Sequence, residues 1–123
     1  MTPRWFAPLL KNPLGATRFV RTSFPKTTFF LEQRVTRDNN LIRQIRFDLD
    51  GKTILRGRAI IDLDKTDPRI VRILLHTKKP IGEILTQYPA RRTRLRATTR
   101  SREFHFHGGL HAKVWERFYL LAK

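Results

Sequence analysis

Residues 43–61 read RQIRFDLDGKTILRGRAII, and this stretch decides the fold. Ile45, Phe47 and Leu49 alternate with Gln44, Arg46 and Asp48, the period-two pattern of a half-buried strand. Asp50-Gly51 then offers the positive backbone angles of a two-residue turn, and Ile54 to Ile61 returns as a second strand. The prediction is a β-hairpin. Its two-residue loop sets Ile45 opposite Arg56, Phe47 opposite Ile54 and Arg43 opposite Arg58. Two arginines facing each other beside Ile45, Phe47 and Ile60 repel, and burying either alone costs more, so this register calls for a counterion. A dicarboxylate ligand supplies one, because a planar guanidinium holds a carboxylate through two parallel hydrogen bonds. The alternative is a solvent-facing Arg58, or a longer loop with another register, leaving Arg43 in an ordinary salt bridge.

Upstream, Thr27 to Thr36 is aromatic and β-branched enough for a strand, with Asp38, Asn39 and Asn40 as the turn after it. Residues 3–13 suggest a short helix or turn interrupted by prolines, followed by an irregular basic stretch to Lys26. Downstream, Asp67-Pro68 opens a helix whose Ile70, Val71, Ile73, Leu74 and Leu75 are too dense for a one-sided surface helix. A second short helix starts at Pro80, with Ile81, Ile84 and Leu85 on one face, and stops before Pro89. Six arginines fall between Arg91 and Arg102, for which a solvated basic loop is the commoner explanation. Phe104 to His107 alternates, Gly108-Gly109 forces a turn, and Val114 to Leu121 reads as a final strand, although the Trp115, Phe118, Leu121 spacing also permits a helix.

At 123 residues and 40% apolar composition the chain suffices for one α+β domain with one core, spanning residues 1–123. Cysteine is absent, which excludes disulfides, a thiol nucleophile and thiolate metal sites, and makes a reducing cytoplasm the expected compartment. No apolar run approaches the roughly 20 residues needed to cross a bilayer, so a soluble protein is expected. The first acidic residue is Glu32, a charge balance shared with organelle transit peptides, but Pro3, Pro8 and Pro13 break the amphipathic helix such a peptide needs. A formal charge of +16 fits a polyanion, an acidic membrane surface or an anionic small molecule, and does not choose among them.

Several segments then fall in an order that is informative together. Arg43-Gln44-Ile45, Asp50-Gly51-Lys52 and Gly57-Arg58-Ala59-Ile60-Ile61 are similar to the hairpin of chorismate lyases, spaced without a gap. Lys79-Pro80-Ile81-Gly82-Glu83-Ile84-Leu85 resembles that family's Pro-Leu-Gly segment. Val114-Trp115-Glu116-Arg117 resembles its apolar-Trp-basic stretch before the penultimate strand, and Gly15-Ala16-Thr17-Arg18-Phe19 its N-terminal Thr-basic-Phe segment. Over residues 13–123 the chain thus resembles the chorismate lyase family. The resemblance implies a single antiparallel β-sheet flanked by short helices, with the ligand enclosed between them. It also implies elimination of pyruvate from chorismate to give 4-hydroxybenzoate for quinone biosynthesis, without cofactor or metal. By position, the ligand arginine falls on Arg43, a leucine beside the product on Ile81, and an N-terminal ligand position near Ala16; the hairpin register adds Arg58 as a substrate-binding residue.

The family's last strand, which supplies a glutamate to the ligand site, would begin about where this chain stops at Lys123. The resemblance therefore implies either a shortened or degenerate member of the family or a substitute acid such as Glu116 or Glu103, and the missing strand would leave an unpaired sheet edge open to a second copy. The catalytic residue itself stays unassigned. The alternative function is a non-catalytic domain of the same fold, binding an aromatic acid or, through its basic surface, nucleic acid. The Arg91 to Arg102 run could neutralise successive phosphates, with Phe104 and Phe106 available for stacking. His105, His107 and His111 could converge, yet their spacing matches no strong zinc motif, and surface histidines are the expectation. His76 is expected to cap its helix or meet solvent, and Trp5, Trp115, Phe29, Phe30, Phe47 and Phe118 to be core aromatics.

Overall fold

The structure, a computed structural model, describes residues 4–11 and 15–121. Within these residues the chain forms α1 (Ala7–Lys11), α2 (Ala16–Ser23), β1 (Thr28–Val35), β2 (Asn40–Leu49), β3 (Lys52–Asp62), α3 (Pro68–His76), α4 (Ile81–Gln87), β4 (Ala90–Ala97), β5 (Ser101–Gly108) and β6 (Ala112–Phe118). The strands make one six-stranded antiparallel sheet in the order β1-β2-β3-β6-β5-β4. This is the α+β architecture that the sequence predicts. None of the helices among the described residues is long and apolar enough to cross a membrane.

The helices lie on one face of the sheet, in two groups. Leu9 of α1 with Ala16 and Val20 of α2 packs against Phe47, Leu55 and Phe118, while Ile70 and Leu74 of α3 with Ile84 of α4 packs against Leu41, Ile61, Phe104 and Phe106. α3 starts as its sequence indicates: Pro68 occupies the first turn, where its missing N–H costs nothing, and the Asp67 carboxylate accepts from the Arg69 amide at 2.9 Å. The same Arg69 donates its guanidinium to Asp67, and this bond, more than their Coulomb attraction, holds the Asp67 carboxyl below its ordinary range. α3 is less buried than its density of apolar residues suggests, since Leu75 points out and only Ile70 and Leu74 are fully enclosed.

Three expectations are corrected. The first concerns the basic stretch before Lys26, which is the helix α2; its apolar side (Ala16, Val20) is buried while Arg18 and Arg21 are not. Pro3 and Pro13 lie outside the described residues. The second concerns the Arg91 to Arg102 run, which builds β4 and the start of β5 rather than a loop. The third concerns the hairpin register. Asp50 and Gly51 adopt the expected positive φ angles of 52° and 79°, and Leu49↔Lys52 and Asp48↔Thr53 pair as predicted. A bulge then intervenes, so that Phe47 faces Leu55, Ile45 faces Gly57 and Arg43 faces Ala59. The consecutive apolar pair Ile54-Leu55 explains it. Strict alternation would expose one of them, and the extra residue lets both be buried. Arg58 is thereby set opposite Gln44, on the face away from the helices, and the two arginines do not meet.

β6 lies between β3 and β5 in the interior of the sheet, and the edges are β1 and β4. The aromatics divide by the same alternation. Phe47 and Phe118 are fully enclosed, whereas Phe30 is 40% exposed beneath the Arg46 guanidinium, and Trp115 lies on the face without helices. Urea unfolding therefore separates the two classes: Phe118→Ala is expected to cost about 3–5 kcal/mol, and Phe30→Ala no more than about 1 kcal/mol.

Candidate functional site

Three of the transverse rows of side chains that strand alternation sets on the helix-covered face define the site. One row is apolar, running Phe29, Phe47, Leu55 and Phe118 across β1, β2, β3 and β6. Another crosses Gln33, Arg43, Ala59, Val114 and Phe104. Between them lies Ile45, Gly57, Glu116 and Arg102. The middle row cannot fill the space above it, because Gly57 has no side chain and its neighbours Glu116 and Arg102 turn toward each other. A cavity results at that place.

Its volume is about 60 Å³. One water needs roughly 10–15 Å³, so the cavity takes a few waters. Phe29, Ile45, Phe104, Phe106 and Val114 supply apolar wall, and Arg43, Arg92, Arg102 and Glu116 supply the charged groups. The roof comes from the first turns of α2 and α4, where Ala16 and Thr17 meet Pro80, Ile81 and Gly82. Arg21 of α2 and Glu83 of α4 form an ion pair across this roof.

Arg43 is 1% exposed, and its charge is held by few partners. Nε donates to Gln33 Oε1 at 2.9 Å and Nη1 to the Lys79 carbonyl at 2.8 Å, tying β1 and the α3–α4 connection to β2. Nη2 is buried without a hydrogen-bond partner. Desolvation accordingly pulls its pKa down to about 10, which still leaves it a cation at neutral pH. Arg92 presents the same situation from β4: its Nε is buried without a partner, its guanidinium lies over Phe106 at 4.9 Å, and burial, then the nearby Arg102, lowers its pKa. Arg102 itself is 2% exposed and donates through Nε to Glu116 Oε1 at 2.5 Å and through Nη1 to the Leu9 carbonyl at 3.0 Å. A buried donor left unsatisfied costs about 1–3 kcal/mol. Two of them on guanidinium groups beside one cavity make an anion, above all a carboxylate, the complementary occupant.

Of the residues predicted as ligand-binding, Arg43, Ile81 and Ala16 line this cavity together. Arg58 borders it only through its place beside Gly57, and its own side chain is exposed on the opposite face. The two candidate acids separate cleanly. Glu116 is buried in the cavity, and Glu103 belongs to the opposite face, across from Trp115. Arg92 and Arg102 were not distinguished from the rest of the arginine run by sequence reasoning, although Arg102, Phe104 and Phe106 alternate as an inward set and Val114, Glu116 and Phe118 do the same. A lone carboxylate in an inward apolar set was the available signal for Glu116.

His105, His107 and His111 lie near one another, with ring centroids 6.1 Å and 5.8 Å apart along the series. Among the described residues no group of His, Cys, Asp or Glu is arranged to hold a metal ion. Burial, then the cations Arg94 and Lys113, depress the His105 pKa, an environment that also disfavours a metal. His76 sits exposed in the last turn of α3. No protein-family model matches the chain, and no curated protein matches it significantly.

Gly57 is the hinge of this geometry, since a Cβ there would stand 2.8 Å from Ile45 Cγ1. Gly57→Ala is expected to cost about 1–3 kcal/mol from overpacking. Ile45→Ala removes the clashing atoms. The double variant should therefore be more stable than the sum of the single effects predicts, by at least about 0.5 kcal/mol in a thermal double-mutant cycle.

Proposed function

We propose that the chain is an enzyme of the chorismate lyase type, which eliminates pyruvate from chorismate to leave 4-hydroxybenzoate, a quinone precursor. The observation that carries this reading is that Arg43 and Arg92, each with an unpartnered guanidinium nitrogen, and the Glu116 carboxylate line one small cavity with apolar walls. The substrate has matching parts: a ring carboxylate, a second carboxylate on the enolpyruvyl ether, and a flat unsaturated ring. Arg43 and Arg92 each take a carboxylate, and Phe29, Phe104 and Phe106 cover the ring. Chorismate is larger than the space beneath the roof, so α2 and α4 part to admit it. Their mutual contact is small and centred on the exposed Arg21–Glu83 pair, which makes that parting inexpensive.

The reaction asks little of the protein. The ether C–O bond at the ring breaks, the neighbouring ring carbon that bears the hydroxyl gives up its hydrogen as a proton, and the ring becomes aromatic. Glu116 is the acid–base group, taking the ring proton and returning it to the departing enolpyruvate, which ketonises to pyruvate. Arg102 fixes the orientation of that carboxylate. Holding the substrate in the reactive geometry supplies the rest. No residue is required to hold a metal or cofactor, and a reducing cytoplasm suits a chain without cysteine.

Chromatography of chorismate incubated with the protein is expected to show 4-hydroxybenzoate and pyruvate in equal amounts. Glu116→Gln keeps the hydrogen bond from Arg102 but not the proton transfer, and is expected to lower kcat by about 10²–10⁴-fold. Arg43→Ala raises KM as well. Thermal melts of both variants establish that they are folded; a folded wild-type protein without turnover would reject the enzyme reading.

A further inference from the structure

The face of the sheet turned away from the helices carries a second, separate chemistry. Directly opposed residues across β2, β3 and β6 form the row Arg46, Arg56, Arg117, and the next row places Arg58 opposite Trp115. Like charges set directly opposite one another destabilise a sheet. Arg46 has Asp48 as partner, but among the described residues neither Arg56, Arg58 nor Arg117 makes an ion pair. These arginines, with Arg96 from β4, line a groove of about 650 Å³ that Trp115 also borders; of its two carboxylates Glu103 belongs to this face, and Glu116 is buried in its pair with Arg102. Lys113 lies over the Trp115 ring at 4.8 Å.

We infer that this open face binds single-stranded nucleic acid, with the arginine rows on the phosphates and Trp115 as a stacking surface for a base. A repulsive cluster of cations is stabilised by a polyanion that lies across it. A second copy of the chain cannot be that partner, since it brings the same +16 charge. A bilayer is flat and does not enter a groove. An acidic peptide satisfies the charges and leaves the aromatic unused, whereas a nucleic-acid strand uses both, a base stacking on the half-buried Trp115 ring as the Lys113 side chain moves aside to a phosphate. Arginine's planar donors suit phosphate oxygens better than lysine's point charge does. The cavity between sheet and helices takes no part, so the inference stands or falls apart from the lyase reading.

The test uses a fluorescently labelled twelve-nucleotide oligothymidine, with anisotropy measured over a range of salt concentrations. A twelve-residue polyglutamate peptide and phosphatidylserine-containing vesicles serve as competing anions. The expected result is binding that the peptide and the vesicles do not displace at equal charge. The triple variant Arg56→Gln, Arg58→Gln, Arg117→Gln should flatten the slope of log affinity against log salt by about 2, each phosphate contact contributing roughly 0.7. Because the variant removes repulsion from exposed positions, its melting temperature should hold or rise, which separates lost binding from lost folding. Trp115→Ala should weaken the oligonucleotide by about tenfold or more. Displacement by polyglutamate or by vesicles at equal charge would overturn the inference, as would a triple variant that binds like the wild type.

Discussion

The buried ion pair between Arg102 and Glu116 governs the interior of this protein. Both side chains belong to inward-facing positions of neighbouring strands, so alternation places them in the sheet's covered face whatever their cost. Desolvating two charges is repaid only by close geometry and further hydrogen bonds, and the bond from Arg102 to the Leu9 carbonyl contributes by reaching up to α1. An apolar helix pressed onto this row would leave it worse satisfied. The helices instead divide into two groups, one closing over Phe47, Leu55 and Phe118 and the other over Leu41, Ile61 and Phe106, and the polar strip between them stays hollow. Gly57, at the centre of that strip, leaves the floor of the cavity without a side chain, where a Cβ would already meet Ile45. The cavity is thus a consequence of where the charges fall in the strand pattern.

The same alternation separates two kinds of arginine. Arg43, Arg92 and Arg102 are inward residues whose charges are confined near one small space. Arg56, Arg58 and Arg117 are outward residues whose charges are spread over an open surface. A net charge taken from composition merges these populations, although they favour different partners: a compact carboxylate for the first, an extended polyanion for the second. One sheet offers both because its helices cover only one side.

Much of the fold was legible because local chemistry and tertiary packing agree. The Asp50-Gly51 turn, the Asp67-Pro68 helix start and the strand after Lys26 each follow from residue types with one good conformation. The bulge at Ile54-Leu55 was not legible from turn chemistry, since the loop does have two residues and the slip arises beyond it, where two adjacent apolar side chains compete for one face. That single residue moved Arg58 from the ligand side to the open side. α2 was obscured by its exposed arginines and by the absence of a side-chain cap. For the site, Arg43 followed from the hairpin pattern and the family resemblance, Ile81 and Ala16 from the resemblance alone, and the three fall together in space. Glu116 entered only as a substitute, because the family's own glutamate belongs to a further strand that would begin about Lys123. Its standing as a buried residue of β6 depends on pairing with Arg102 across the Gly108-Gly109 turn, a nonlocal fact.

The central claim is that the enclosed cavity recognises an aromatic carboxylate through its unsatisfied guanidinium groups. Isothermal titration of the protein with 4-hydroxybenzoate, set beside the methyl ester of the same acid, tests it most directly. The ester keeps the ring and the hydroxyl and loses only the charge. The account predicts one exothermic site for the acid and no measurable heat for the ester. Equal binding of both, or of neither, would contradict it.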